Sequence, residues 1–556
     1  MSEFREQNDR EMQSNWGNGH SHLGWLALVA AGLTVLVVSS IFFGIEFTDS
    51  GFIQGISWAM YSGGTLYEDI DYVRPPLSPF FWQAVFFTGL TDGLEVLFRS
   101  LVTLEKGLTA FFVGSICLRY GLARNFAVFV GIITFVFLVH HLPAMPWHTV
   151  DGLFFVVLAV FLFSHQKVHL ALISGLVAAG CKQSFYFFPP LLLLVILLDR
   201  RHRSAKSLIL IMLTHTVVAF VFVSFLNVEA MLDTKGSDQS IDILIKVAVL
   251  PYFKIQWWHV PSILAALVAY LIFRPQGQLA VMILSIIHVP LASMAVVAVQ
   301  VQRTDDLVFS IPPPGTTQLT FTFVAAVMLI AMFRNGLSRS IHEDKFQIAW
   351  LVLGGAWMSA ISWGFNNHIF SFGLLLAAWA LTTNEKTAMS HRIMASLIVF
   401  LCMSFVSMKL VTPYRTAGLW DSQNAMVPSG VYKFIFADTR EHQRLATIER
   451  MFDHEGCVEI YPSAPQAHMI RARPTKLPAG WMLKVEYPRH EQTIDILAQH
   501  GCKLFIERDN NEIGWSAKNQ LAAELNLDDV RHCLVTYDDH AWMVDFASCK
   551  VSGGSG

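Results

Sequence analysis

The sequence predicts a polytopic α-helical membrane protein with an α/β portion at its C-terminus. Three observations carry this. The 556 residues are 54% apolar, with a mean hydropathy of +0.47. Only 15% are charged, against about 25% in soluble domains. The apolar residues fall in long runs separated by short polar stretches, the pattern of repeated membrane spans. The charge is also uneven: residues 412–551 hold 34 charged side chains in 140 positions, whereas the first 411 residues hold 47. A membrane portion to about residue 411 is therefore followed by a water-soluble one. This composition excludes an ordinary cytosolic globular protein and a disordered chain, and a net charge of −3 excludes a strongly basic nucleic-acid binder.

Residues 1–22 are too polar for a signal peptide and read as a cytoplasmic tail, so the first apolar run is an uncleaved span. Residues 552–556 read as a tag remnant and are set aside. The apolar runs lie near 23–44, 98–118, 125–143, 150–165, 168–181, 186–199, 207–226, 257–273, 279–300, 317–333, 348–364, 368–382 and 393–411, about 13 transmembrane helices. Leu170–Leu198 is counted as two, because Cys181-Lys182-Gln183 and Pro189-Pro190 interrupt it.

Charge sets the orientation. With the N-terminus inside, each inner loop carries Lys or Arg, including Arg119 and Arg124, Arg200–Lys206, Arg274, Arg334 and Arg392. The outer side then receives 45–97, 227–256 and the tail 412–551. In that tail Asp438–Phe452 and Gln492–Gln499 read as helices. Cys457–Tyr461 and Cys502–Glu507 read as short buried strands, and Leu534–Tyr537 with Trp542–Phe546 as a hairpin. The tail holds Cys457, Cys502, Cys533 and Cys549. Four cysteines outside the cytoplasm permit two disulfides. The sensible pairs are Cys457–Cys502, which open similar strands, and Cys533–Cys549, which straddle the hairpin; four buried free thiols are the alternative.

The first outer segment carries the chemistry. It runs Asp49-Ser50-Gly51-Phe52, then Gly64-Thr65-Leu66-Tyr67-Glu68-Asp69, then Arg74-Pro75-Pro76-Leu77. Asp49 sits a few residues beyond a span, where a lipid headgroup meets water. Phe52–Tyr61 is amphipathic and reads as a helix lying flat in the interface. Asp49 alone reads rather as a helix N-cap; with Tyr67-Glu68-Asp69 and Arg74-Pro75-Pro76-Leu77 downstream the functional reading prevails. Glu68, Asp69 and Asp71 offer oxygen ligands but read as solvated loop charge, with Asp69 placed to hold Arg74 or Tyr67. No residue is assigned to a metal, and whether a divalent ion is needed stays open at this point.

This arrangement resembles GT-C membrane glycosyltransferases, in particular the family of protein O-mannosyltransferases and lipid A aminoarabinose transferases. Asp49, Gly51, Gly64, Tyr67, Asp69, Arg74, Pro75, Pro76 and Leu77 fill that family's first-loop frame in order. Arg99 and Lys182-Gln183 match further positions, and Cys457–Arg473 is similar to the tail strand and loop of bacterial members. Ser50 departs from the Glu that many members carry after the Asp. The resemblance implies an inverting transfer of a hexosyl or pentosyl group from a polyprenyl-phosphate donor to a periplasmic glycan, lipid-linked or protein acceptor. It also implies a bacterial inner membrane location with a periplasmic tail, and no cofactor.

Such a reaction needs a base for the acceptor proton, cations for the leaving phosphate and a groove for the lipid. Asp49 is the base candidate, and Arg74, Arg99 and Lys182 are the phosphate clamps. Arg99 reads equally as an interface anchor. His140, His141 and His148 suit substrate hydrogen bonds rather than zinc. Asn366 suits either sugar hydroxyls or a helix cap. Glu105-Lys106 places two charges inside a span, where one member faces a cavity by default. The rival function is a transporter or flippase for a lipid-linked glycan, which would use the same intramembrane charges. Against it stands the lack of any clear inverted repeat.

Overall fold

The computed structural model describes residues 24–47, 49–139, 144–199, 201, 209–214, 216–217, 219–220, 325, 332, 342–362, 365–366, 370–383, 391–411, 423–461, 464, 466–478, 492–507, 532–537 and 541–549. The apolar runs become helices. These are α1 (Gly24–Phe42), α4 (Leu94–Arg119), α5 (Arg124–Val139), α6 (His148–Ser164), α7 (Val168–Ala179), α8 (Phe188–Leu198), α9 (Asp344–Ala360), α10 (Phe372–Thr383) and α11 (His391–Val411). Between α1 and α4 lie two further helices, α2 (Asp49–Tyr61) and α3 (Leu77–Phe86). Among the described residues, α1 and α4 are long and apolar enough to cross a membrane. The runs predicted at 257–273 and 279–300, and nearly all of that at 317–333, lie outside the described residues.

The Leu170–Leu198 run is broken as its sequence suggests. Helix α7 stops at Ala179, a 3₁₀ turn covers Gln183–Phe187, and α8 follows. Pro189 and Pro190 occupy the first turn of α8, where a missing amide hydrogen costs nothing. The break presents Lys182 in extended backbone.

One apolar core joins α4, α5, α6, α8, α9, α10 and α11, around Val130, Phe137, Val156, Phe188, Leu351 and Trp379. Gly114 and Gly131 let α4 and α5 approach closely: a Cβ on either would meet a carbonyl oxygen of the other helix at 3.1 Å. A second core lies around α2. It gathers Phe52, Ile53, Tyr72 and Phe98 with Tyr432, Ile448 and Ile460 from the end of the chain.

The last part of the chain contains α12 (Thr439–Met451), α13 (Ala467–Ile470), α14 (Thr493–Gln499) and a four-stranded sheet. Asp438 caps α12 through a capping box with Glu441, worth about 1 kcal/mol. Strand β5 (Val458–Tyr461) lies parallel to β6 (Lys503–Glu507). The next strand is β8 (Ala541–Asp545), antiparallel to β6, and β7 (Leu534–Thr536) completes the order β5-β6-β8-β7. Disulfides join Cys457 to Cys502 and Cys533 to Cys549. Two short pairs occur elsewhere: β1 (Ile361–Ser362) with β2 (Phe365–Asn366), and β3 (Ala425–Met426) with β4 (Phe436–Ala437).

Helix α2 departs from the expected interfacial helix. Phe52, Ile53, Gln54, Ile56 and Ser57 are all buried, because the C-terminal segments cover it. Gln466 donates from Nε2 to the Glu46 carbonyl at 2.9 Å, and Trp58 Nε1 donates to the Arg473 carbonyl at 2.8 Å. Gly51 makes this docking feasible, since a Cβ there would sit 1.3 Å from Gln466 Oε1. At the end of α1, the Gly44 amide donates to the Phe436 carbonyl at 2.8 Å, and Phe43 stacks on Phe436.

Candidate active site

Asp49 is the first residue of α2 and is buried. The preceding turn is held by Glu46, whose Oε2 accepts from the Ser50 amide at 2.6 Å. Phe52 stands three residues on, on the same face of the helix. The Arg74 guanidinium lies over the Phe52 ring, 5.0 Å from its centroid. Arg74 is itself only 4% exposed, so this is a buried cation and not a snorkelling one. Tyr67 fixes the Arg74 loop by donating its hydroxyl to the Arg74 carbonyl at 2.7 Å. Tyr67 adopts a left-handed φ of 71° in the turn closed by its amide and the Ile70 carbonyl. Burial pushes its phenol well above the ordinary tyrosine range, which keeps it a hydrogen-bond donor.

Lys182 reaches the same region from the break after α7. Its ammonium donates to Thr149 Oγ1 at 2.9 Å and to the Ile361 carbonyl at 2.5 Å. The neighbouring Gln183 donates from Nε2 to the Val73 carbonyl, and the Leu77 amide donates to the Gly180 carbonyl at 2.9 Å. The break therefore holds the Arg74-Pro75-Pro76 segment on both sides. Burial and then the Arg74 charge push Lys182 down to about 7. His148, the first residue of α6, lies within electrostatic reach of both cations. Its ring packs 4.6 Å from Trp147 and edge-on to Phe52 at 6.5 Å. The structure thus brings Arg74 and His148 against Phe52, ties Tyr67 to the Arg74 carbonyl and sets Lys182 within electrostatic reach of Arg74, with Asp49 three residues before Phe52 on α2.

Arg99 is not part of this group, contrary to its expected role as a phosphate clamp. It is fully buried and ion-paired through Nε to Glu95 Oε1 at 2.8 Å. Its terminal nitrogens donate to the carbonyls of Ile41, Phe43 and Gly44. Four of its five N–H donors thus tie the end of α1 to α4. Glu95 also accepts from Ser50 Oγ at 3.2 Å and Gln54 Nε2 at 2.8 Å, so the pair is the platform beneath α2. Asp69 likewise does not hold Arg74. It is exposed, and its carboxylate accepts from the Thr65 amide at 2.8 Å, closing the turn that contains Tyr67. His140 and His141 lie outside the described residues. Asn366 pairs through its backbone with Ile361, beside the carbonyl that Lys182 uses, and its side chain lies outside the description.

Sequence comparison identifies no relative: no family model and no curated protein matches the chain. Solved structures do. The chain is similar to ArnT from Cupriavidus metallidurans in the apo state, at 11% identity over 95% of this chain and 99% of that one, with a TM-score of 0.43. It is similar to the same protein bound to undecaprenyl phosphate, at 11% identity over 94% and 98%, with a TM-score of 0.41. It is also similar to the archaeal oligosaccharyltransferase AglB from Archaeoglobus fulgidus, in complex with an inhibitory peptide and a dolichol-phosphate. There the identity is 11% over 92% and 72%, with a TM-score of 0.44.

Sequence reasoning passed over Asp151 and Glu95. Asp151 is buried in the first turn of α6, accepts from Trp82 Nε1 at 3.1 Å and from Ser78 Oγ, and is approached by Glu105 from α4. It anchors α3, which begins three residues after Arg74. Nothing local in the sequence announces this contact. The Glu95–Arg99 pair was legible, since i,i+4 residues of opposite charge face each other on a helix. Among the described residues, one grouping has metal-ligating atoms close together: His532, Cys533 and Cys549. Its two sulfurs are joined in a disulfide, so it offers no thiolate.

Proposed function

We propose that the chain is an inverting membrane glycosyltransferase of GT-C type that uses a polyprenyl-phosphate sugar. One observation carries the reading: Arg74 and Lys182, two cations from separate segments, are both buried and within electrostatic reach of each other, and Arg74 lies over Phe52 of the helix that Asp49 begins. An anion that reaches both groups is held by two charges and by their hydrogen-bond donors. A phosphate diester at a lipid headgroup is such an anion.

The reaction assigned to these residues is a single displacement. The acceptor oxygen forms a bond to C1 of the sugar as the bond from C1 to the phosphate oxygen breaks. The acceptor proton passes to the Asp49 carboxylate, and the electron pair leaves on the polyprenyl phosphate, where Arg74 and Lys182 stabilise it. His148 and Tyr67 shape the pocket around the donor. On this reading 412–551 is a periplasmic domain above a multi-span membrane domain of about 13 helices, in a bacterial inner membrane. The acceptor is a glycan, lipid-linked or protein acceptor on the same side.

Incubating the purified protein with a panel of polyprenyl-phosphate sugars tests the reading. Transfer, or slow hydrolysis of one donor, is the expected result. Vesicle-to-vesicle movement of an intact lipid-linked glycan without cleavage of any donor would establish the transporter instead.

A further inference from the structure

A carboxylate in the middle of a buried strand is expensive unless its oxygens are matched. Glu459, on β5 between Val458 and Ile460, is 2% exposed. The sheet has its own apolar core of Leu497, Leu504 and Val544, besides two disulfides, so it has no need of an acid there. The carboxylate is instead matched by α13 and by the loop that follows it. His468 Nε2 lies 2.8 Å from Oε2, and the Thr475 hydroxyl lies 3.1 Å from Oε1 and 3.0 Å from the Leu477 carbonyl, sharing its one proton between them. The amides of Lys476 and Leu477 converge on Oε1 at 2.6 and 3.2 Å. Residues 471–478 have no helix or strand of their own. Glu459 supplies the order that regular structure would otherwise give them.

That loop is a strap across the first loop segment. At one end the Arg473 carbonyl accepts from Trp58 Nε1 of α2 at 2.8 Å. At the other, the Pro478 carbonyl accepts from the Asp71 amide at 2.8 Å. Asp71 is three residues before Arg74. The Val73 carbonyl between them accepts from Gln183, next to Lys182. The backbone leading to Arg74 is therefore clamped between the strap and the break after α7.

We infer that Glu459 is a positioning residue for the donor-phosphate site, acting through the strap on the Asp71–Arg74 backbone. This rests on the reading of Arg74 as a phosphate ligand. Glu459→Gln is nearly isosteric but turns a donor toward groups that already donate. Thr475→Val is the milder second variant, removing one hydrogen bond.

Two measurements on the full chain in nanodiscs separate the parts. The first is amide hydrogen exchange of peptides spanning 65–74, which does not depend on any donor. The second is binding of undecaprenyl phosphate to Glu459→Gln, Arg74→Ala and the double variant. Faster exchange in 65–74, a loss of affinity of about three- to thirtyfold for Glu459→Gln, and a double variant little worse than Arg74→Ala are expected, because residues acting through one group are not additive. Thr475→Val should move both readouts in the same direction by less. Unchanged exchange in 65–74 in both variants would overturn the strap. Faster exchange with unchanged affinity in Glu459→Gln, or fully additive losses, would overturn its role at the phosphate. If Arg74→Ala itself binds undecaprenyl phosphate normally, the phosphate reading fails, and the exchange result still decides whether Glu459 sets the loop.

Discussion

The Arg74 guanidinium lies 5.0 Å over the Phe52 ring, and Phe52 shares a helix face with Asp49. The cation of one segment thus packs on the helix that the acid of another begins. The two groups should nonetheless fail differently when replaced. Asp49→Asn keeps size and hydrogen bonding but loses basicity, so single-turnover transfer should fall about 10²–10⁴-fold with donor binding nearly unchanged. Arg74→Ala should weaken both binding and transfer, because charge-assisted bonds to phosphate are strong. Arg74→Lys should recover part of this, since the planar fork is lost. A folded Asp49→Asn protein with the full transfer rate would make Asp49 a helix cap.

Lys182 gives a pH dependence. Burial and Arg74 hold it down to about 7, from an ordinary value of 10.5. Between those values an unfolded chain keeps a proton that the folded chain has released, so this group makes stability rise with pH across that window. Donor binding runs the other way, because the phosphate needs the charged ammonium. Affinity for a polyprenyl-phosphate sugar, whose diester keeps one charge, should fall above pH 7 by at most about tenfold per pH unit. Titration calorimetry from pH 6 to 9 checks this. Lys182→Ala should abolish the break, and a break that survives in that variant rules Lys182 out as its source.

Arg99 and Arg74 should separate cleanly. Arg99→Ala leaves Glu95 buried without its cation and frees three carbonyls, a loss of about 3–5 kcal/mol. Below its melting temperature the variant should still bind undecaprenyl phosphate. Stability equal to the unmutated protein with donor binding abolished would restore Arg99 as a phosphate ligand.

The two disulfides close segments with sequence separations of 45 and 16. Cys457→Ser and Cys533→Ser should each cost about 2–4 kcal/mol. Thermal melts with and without reductant should show the difference, and non-reducing mass spectrometry should recover both pairs. Four free thiols in protein isolated without reductant would refute the pairing.

Topology follows from the Lys and Arg bias. In intact cells an engineered cysteine at Ser516 should react with an impermeant reagent, and one at Ser204 should be shielded. The reverse pattern would invert the orientation.

Much of the C-terminal part was legible because its signals are local. Asp438 with Glu441 three residues later announces the start of α12. Apolar strands after Gly456 and Gly501 announce β5 and β6. The burial of α2 was not legible, since the groups that cover it, Gln466 and Arg473, are more than 400 positions away. At the site, residue types and order pointed to Asp49, Arg74 and Lys182, but only three-dimensional packing shows that Arg99 is tied to Glu95 and the end of α1 while Arg74 lies over Phe52.

The docking of the chain's end onto its beginning also sets a schedule for biogenesis. Ile45 receives its partner Glu441 396 residues later, and Glu46 receives Gln466 420 residues later. At ordinary synthesis rates that interval is roughly 20–80 s. Throughout it Phe52, Ile53 and Tyr72 have no cover from Tyr432, Ile448 or Ile460. A nascent chain at this stage is a client for chaperones and proteases on whichever side of the membrane the segment emerges. Release from that state comes only when the last quarter of the message has been translated.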